Sequence, residues 1–107
     1  MPTIEEFFEK LPSKFKQVAD EEMDATIQFQ ISGEGGGDWA ISLGDKEIGI
    51  VKEIVDDPDI TILVSAEMWD GIINGRENPK RAFMLGRLKV RGNIQLAFRL
   101  PQLFMEI

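Results

Sequence analysis

In four segments between Ala25 and Val64 apolar residues recur at every second position, and that period limits what the chain can become. In Ala25 to Ser32, Ile27, Phe29 and Ile31 alternate with Thr26, Gln28 and Gln30, the pattern of a half-buried strand. Asp38 to Leu43 repeats it with Trp39, Ile41 and Leu43. Gly44-Asp45 then reads as a two-residue hairpin turn. Lys46 to Lys52 forms a third strand with Ile48 and Ile50 inward, and Asp59 to Val64 a fourth with Ile60, Ile62 and Val64. Much later, Leu88 and Val90 alternate with Arg87, Lys89 and Arg91 as a fifth strand. A sheet with one apolar face needs a second layer to cover it.

The flanking segments supply that layer. Thr3-x-x-Glu6 is a capping box, the opening of a helix. Ile4, Phe7, Phe8, Leu11 and Phe15 follow at helical spacing. Pro12 is expected to interrupt this helix, with a short second helix through Phe15 and Val18. Ser65 is a helix N-cap, Met68, Trp69, Ile72 and Ile73 give one apolar face, and Gly75 ends it. Asn78-Pro79 signals another start, with Ala82, Phe83 and Leu85 apolar and Gly86 at the end. Gly92-Asn93 leads into a last helix. The expectation is an α+β fold: a five-stranded, mostly antiparallel sheet covered by helices. At 107 residues the chain is too short for two cores, so residues 1–107 are read as one domain.

The last helix is unusual. Gln95, Arg99 and Gln102 fall on one narrow stripe, while Ile94, Leu96, Ala97, Phe98, Leu100, Leu103, Phe104 and Met105 occupy most of the remaining circumference. A helix packed on a single sheet needs an apolar stripe of about a third of its circumference. Either the helix is fully buried, or one apolar flank faces a lipid, a partner or a membrane.

Charge is unevenly placed. The net charge is −7, and every acidic residue except Glu106 lies at or before Glu77. Lys80, Arg81, Arg87, Lys89, Arg91 and Arg99 occupy an acid-free stretch. Two readings stand. The strand cations are a solvent face balancing acids on a neighbouring strand, or they form a docking face for anionic headgroups or a phosphate-bearing ligand. The overall sign disfavours nucleic acid as a partner.

Several chemistries lack their residues. There is no cysteine, histidine or tyrosine, so there are no disulfides or thiolate metal sites, and a general base would have to be a retuned carboxylate or lysine. Serines 13, 32, 42 and 65 have no histidine to activate them. Gly33-Glu34-Gly35-Gly36-Gly37-Asp38 lacks the Lys-Ser or Lys-Thr of a phosphate loop and precedes a strand; it is read as a hairpin loop. Asp56-Asp57-Pro58-Asp59 lacks the glycine and glutamate offsets of a calcium loop and is read as a turn. No cofactor motif is present, and the chain is not expected to be an enzyme. No segment has the roughly 18 apolar residues of a membrane span, the first ten residues do not form a signal peptide, and the C-terminus is not a peroxisomal Ser-Lys-Leu tail. The expected location is cytoplasmic.

Three segments, in order, carry a family likeness. Phe29 to Trp39 resembles the first hairpin of sterol carrier protein 2-like domains. Asp57-Pro58-Asp59-Ile60-Thr61 resembles the entry to their fourth strand. Gly75-Arg76-Glu77-Asn78-Pro79 followed by Ala82 to Asn93 resembles their most recognisable stretch. The resemblance covers nearly the whole chain. It implies a five-stranded sheet under helices with an apolar tunnel between them, reversible binding of fatty acid, acyl-CoA, phospholipid or sterol, and no catalysis by the domain.

The residues agree with that implication. At roughly 0.8 kcal/mol per buried methylene, eight methylenes contribute about 6 kcal/mol before binding costs, with no polar motif required. The expected cavity wall is Trp39, Met68, Trp69, Ile72, Phe83, Met84, Leu88, Ile94, Phe98, Leu100 and Phe104. Arg87, Arg91 and Arg99 are the headgroup candidates. The alternative is an accessory module that docks on a lipid-pathway enzyme through its C-terminal helix. That helix would also serve for transient membrane-surface contact or for dimerisation.

Overall fold

A computed structural model of the chain describes residues 3–15, 25–44 and 47–95. In order these form α1 (Ile4–Phe15), β1 (Ala25–Ser32), β2 (Gly37–Gly44), β3 (Glu47–Val51), β4 (Ile60–Ser65), α2 (Ala66–Ile73), α3 (Pro79–Met84) and β5 (Leu88–Gly92). The sheet order is β3-β2-β1-β4-β5. Three pairings are antiparallel, and the central one, β1 with β4, is parallel. The α+β expectation therefore holds, with a mixed sheet.

The register lines apolar residues into ribs on one face. Ile50, Ile41, Ile27 and Ile60 are neighbours across four strands. Trp39, Phe29, Ile62 and Val90 form the next rib, and Ile31, Val64 and Leu88 a third. Helices α1 and α2 cover this face through Ile4, Phe8 and Leu11 from one and Met68 and Trp69 from the other, all buried.

The caps behave as their sequences dictate. The Thr3 hydroxyl accepts from the Glu6 N–H at 3.1 Å. The Ser65 hydroxyl accepts from the Met68 N–H, and the Asn78 side chain accepts from the N–H groups of Lys80 and Arg81. Both α2 and α3 end in a double hydrogen bond around a left-handed glycine. Arg76 and Gly75 donate to Gly71 and Ile72, and Arg87 and Gly86 donate to Ala82 and Phe83. Gly75 and Gly86 have φ of 80° and 74°.

Four expectations are corrected. Helix α1 runs on through Pro12 to Phe15: a proline keeps a helical φ, and its lost N–H bond and its crowding of the carbonyl four residues back act against the burial of Ile4, Phe8 and Leu11 on the sheet. A second helix through Val18 lies outside the described residues. Gly44 pairs with Glu47, so the β2–β3 connection falls on residues 45–46, outside the described set, and not on Gly44-Asp45. Strand β4 begins at Ile60 because Asp59 caps it: the Asp59 N–H donates to the Thr26 carbonyl at 2.9 Å, and its carboxylate accepts from the Thr26 N–H at 2.7 Å.

The fourth correction concerns Gln28, which the alternation sets on the polar face yet which is 1% exposed. Two strands, β2 and β1, lie between β3 and β4, so residues 52–59 must cross them. They cross on the face away from the helices and bury Gln28 beneath them. Its Nε2 donates to the carbonyls of Trp39 at 3.1 Å, Phe29 at 3.2 Å and Glu53 at 3.2 Å, and its Oε1 accepts from the Val55 N–H at 2.9 Å.

Candidate functional site

The layer between α1, α2 and the sheet is aromatic. Phe8 stacks on Trp39 at 4.8 Å between ring centroids and meets Phe29 edge-on at 5.2 Å. Trp69 lies 5.2 Å from Phe29 and 6.4 Å from Phe8, and Phe7 closes on it at 5.9 Å. Such ring pairs contribute roughly 0.5–1.5 kcal/mol each beyond the area they bury. The rings meet because α1 presents Phe7 and Phe8 together while β1 and β2 pair Phe29 with Trp39.

This layer brings together part of the expected wall. Trp39, Met68, Trp69 and Leu88 are buried in it, and Ile72 packs against it half-buried. Phe83, Met84 and Ile94 do not join it: they are 41%, 82% and 52% exposed. Helix α3 turns only Ala82 inward, and at 100° per residue Met84 then points nearly the opposite way. Phe98, Leu100, Phe104 and Arg99 lie outside the described residues. At the end of the described residues, the Asn93 side chain accepts from the Gln95 N–H and the backbone of Ile94 and Gln95 is helical, as expected for the opening of the last helix.

Phe8 and Phe29, at the centre of the layer, are absent from the wall read from sequence. Their signal was present as two adjacent phenylalanines at helical spacing and one on the apolar side of β1, but nothing local says that the two elements meet.

Polar groups around the layer are few. The Trp39 Nε1 is buried with no hydrogen-bond acceptor among the described residues. The Lys52 ammonium sits 5.2 Å from the centroid of the Trp39 ring and 3.7 Å from Glu5 Oε1. With both side chains more than half exposed, that ion pair contributes little. Arg87 and Arg91 do not face the layer. Period-two alternation that turns Leu88 and Val90 inward turns Arg87, Lys89 and Arg91 to the other face. Opposite Lys89 and Arg91 in the register stand Leu63 and Thr61, so no acid on the neighbouring strand balances them. No group of three His, Cys, Asp or Glu side chains able to hold a metal occurs among the described residues. Among the described residues the layer offers rings and a methionine, with the rings in contact with one another.

Comparison with known proteins places this architecture. The model of the SCP-2 sterol transfer family matches residues 4–105. The chain belongs to that family. Among family relatives, the hydroxysteroid dehydrogenase-like protein 2 of Rattus norvegicus is 33% identical over 106 residues, 97% of this chain and 20% of that protein. The chain thus spans about a fifth of the length of that relative. A fatty acid-binding protein of Yarrowia lipolytica is 33% identical over 92 residues, covering 80% of this chain and 71% of that one. In structure, palmitated SCP2L2 from Aedes aegypti superposes with a TM-score of 0.80 at 20% identity, over 96% of this chain and 95% of that one. That likeness is one of fold.

Proposed function

We propose that this chain is a non-catalytic lipid carrier that takes a fatty acyl chain between its helix layer and its sheet. The observation that carries the reading is the 33% identity to a fatty acid-binding protein over 80% of this chain. The palmitated structural neighbour supports it. The tunnel wall would be Trp39, Met68, Trp69, Ile72 and Leu88, to which the sequence adds Phe98, Leu100 and Phe104. The rings between α1 and the sheet are packed against one another, so a ligand must separate them. Met68 suits that role because an unbranched thioether repacks at low cost. Acyl-CoA, phospholipid and sterol-like ligands share the same apolar chemistry. No helix among the described residues is long and apolar enough to cross a membrane, in keeping with a cytoplasmic carrier.

Trp39 and Trp69 report on the site directly. Titrating palmitate against intrinsic fluorescence should give a saturable change in emission, with one acyl chain per protein by calorimetry. No change in emission and no heat would overturn the reading.

A second reading is an accessory module docked on a lipid-pathway enzyme. It is favoured by the 20% share of the dehydrogenase-like relative that this chain covers, since in that protein the matching region is joined to a longer chain. A stable complex with such an enzyme, together with indifference to palmitate, would select it.

A further inference from the structure

We propose that the tip of α3 and the edge strand β5 form a docking surface for an anionic bilayer. Met84 is 82% exposed, Leu85 58% and Phe83 41%, three consecutive large apolar residues at one turn. On α3, Lys80 and Arg81 precede Met84 by four and three residues and so share its side of the helix. After the turn, the bond from the Arg87 N–H to the Ala82 carbonyl at 2.8 Å folds Arg87 back against the same helix. Exposed cations therefore stand on both sides of the apolar tip. Beyond it, Lys89 and Arg91 continue along the outer face of β5, all of them exposed.

The charge pattern selects the occupant. From Asn78 to Gln95 there are five cations and no acid, in a chain whose net charge is −7. Lys52 pairs with Glu5 and Arg76 with Asp70; none of the five cations makes an ion pair among the described residues. An edge strand with unpaired backbone groups is commonly protected by charged side chains, but protection does not require a single sign, nor three exposed apolar residues beside it. A negatively charged surface with an apolar interior fits both features: headgroups for the cations and acyl chains for Phe83, Met84 and Leu85. Exposed charges are screened over about 8 Å at physiological ionic strength, so distant acids offset this attraction little; Asp59, whose carbonyl accepts from the Asn93 N–H at 3.0 Å, is an acid beside the Arg91 end of the patch.

The surface is separate from the aromatic layer, and the proposal does not rest on acyl-chain binding there. The test is co-sedimentation of the full chain with vesicles of phosphatidylcholine alone or with about a third phosphatidylglycerol. Binding is expected to the anionic vesicles, to fall steeply with added salt, and to be lost on neutral ones. Each basic residue near an anionic surface strengthens partitioning roughly fivefold. Reversing three of them in Lys80→Glu/Arg81→Glu/Lys89→Glu should therefore weaken it by at least about a hundredfold. Leu85→Ser should weaken it severalfold at unchanged net charge. All four residues are exposed, and circular dichroism checks that the variants fold. Wild-type protein that ignores anionic vesicles, or variants that bind as wild type does, would overturn the proposal. Palmitate titration of the same samples separates the two readings: lost vesicle binding with intact palmitate binding in the variants supports a distinct docking face. Failure of palmitate binding alone strikes only the carrier reading.

Discussion

Replacing Gln28 with leucine tests how the sheet is held on its far side. The side chain is 1% exposed and ties the crossing segment to the sheet through the Val55 N–H and the carbonyls of Glu53 and Trp39. Leucine has similar volume and no polar atoms, so Gln28→Leu leaves the Val55 N–H without its acceptor and the Glu53 carbonyl without its donor. An orphaned donor costs about 1–3 kcal/mol, and the carbonyl adds about 1 kcal/mol. The leucine side chain returns about 1 kcal/mol by burial. The expected net loss is about 1–3 kcal/mol, a substantial part of the 5–15 kcal/mol typical of a domain. At about 4–8 °C per kcal/mol for a chain near this length, the melting temperature should fall by roughly 4–24 °C. The loss should also be local before it is global: the Val55 amide should exchange faster while the Ile27 and Phe29 amides keep their protection. Urea denaturation and hydrogen exchange measure both. A variant within about 0.5 kcal/mol of wild type, with Val55 still protected, would refute the claim that Gln28 pins the crossing.

Three further outcomes follow from the packing. Phe8→Ala removes a fully buried ring that touches Phe7, Phe29, Trp39 and Trp69; it should cost about 3–5 kcal/mol and shift the near-ultraviolet circular dichroism of the tryptophans, both measurable in one denaturation series. Asp59→Ala loses the carboxylate that accepts from the Thr26 N–H at 2.7 Å and should cost about 1 kcal/mol, with the Thr26 amide exchanging faster; an unchanged midpoint would show that water replaces it freely. Ser65→Ala removes the α2 cap and should cost about 1 kcal/mol, whereas Ser65→Gly should cost less than half as much.

The parts of this fold that were legible in sequence are those set by local chemistry. Alternation placed Ile27, Phe29 and Ile31 on one face, capping residues opened α2 and α3 at Ser65 and Asn78, and Gly75 and Gly86 closed them. What was not legible depends on strand order. The parallel pairing of β1 with β4 follows from the crossing of residues 52–59, and that crossing is what buries Gln28; no pattern within Ala25 to Ser32 distinguishes Gln28 from the half-buried Thr26 and Gln30 beside it. The aromatic layer was legible in part for the same reason. Trp39 and Trp69 stood out as large residues on apolar faces, but Phe8 joins them only because α1 lies across β1 and β2. Conversely, α3 has the composition of a packed helix, yet its six residues leave room for a single inward position, Ala82. The sequence pattern therefore reads Phe83 and Met84 as apolar wall, and in the structure they stand exposed at 41% and 82%.

The carrier reading is tested most directly by native mass spectrometry of the purified full chain, followed by organic extraction. The account predicts a protein mass raised by one discrete lipid that is lost on denaturation, or an apo mass that gains one palmitate when the fatty acid is added. A single apo mass that ignores palmitate and acyl-CoA alike would contradict it.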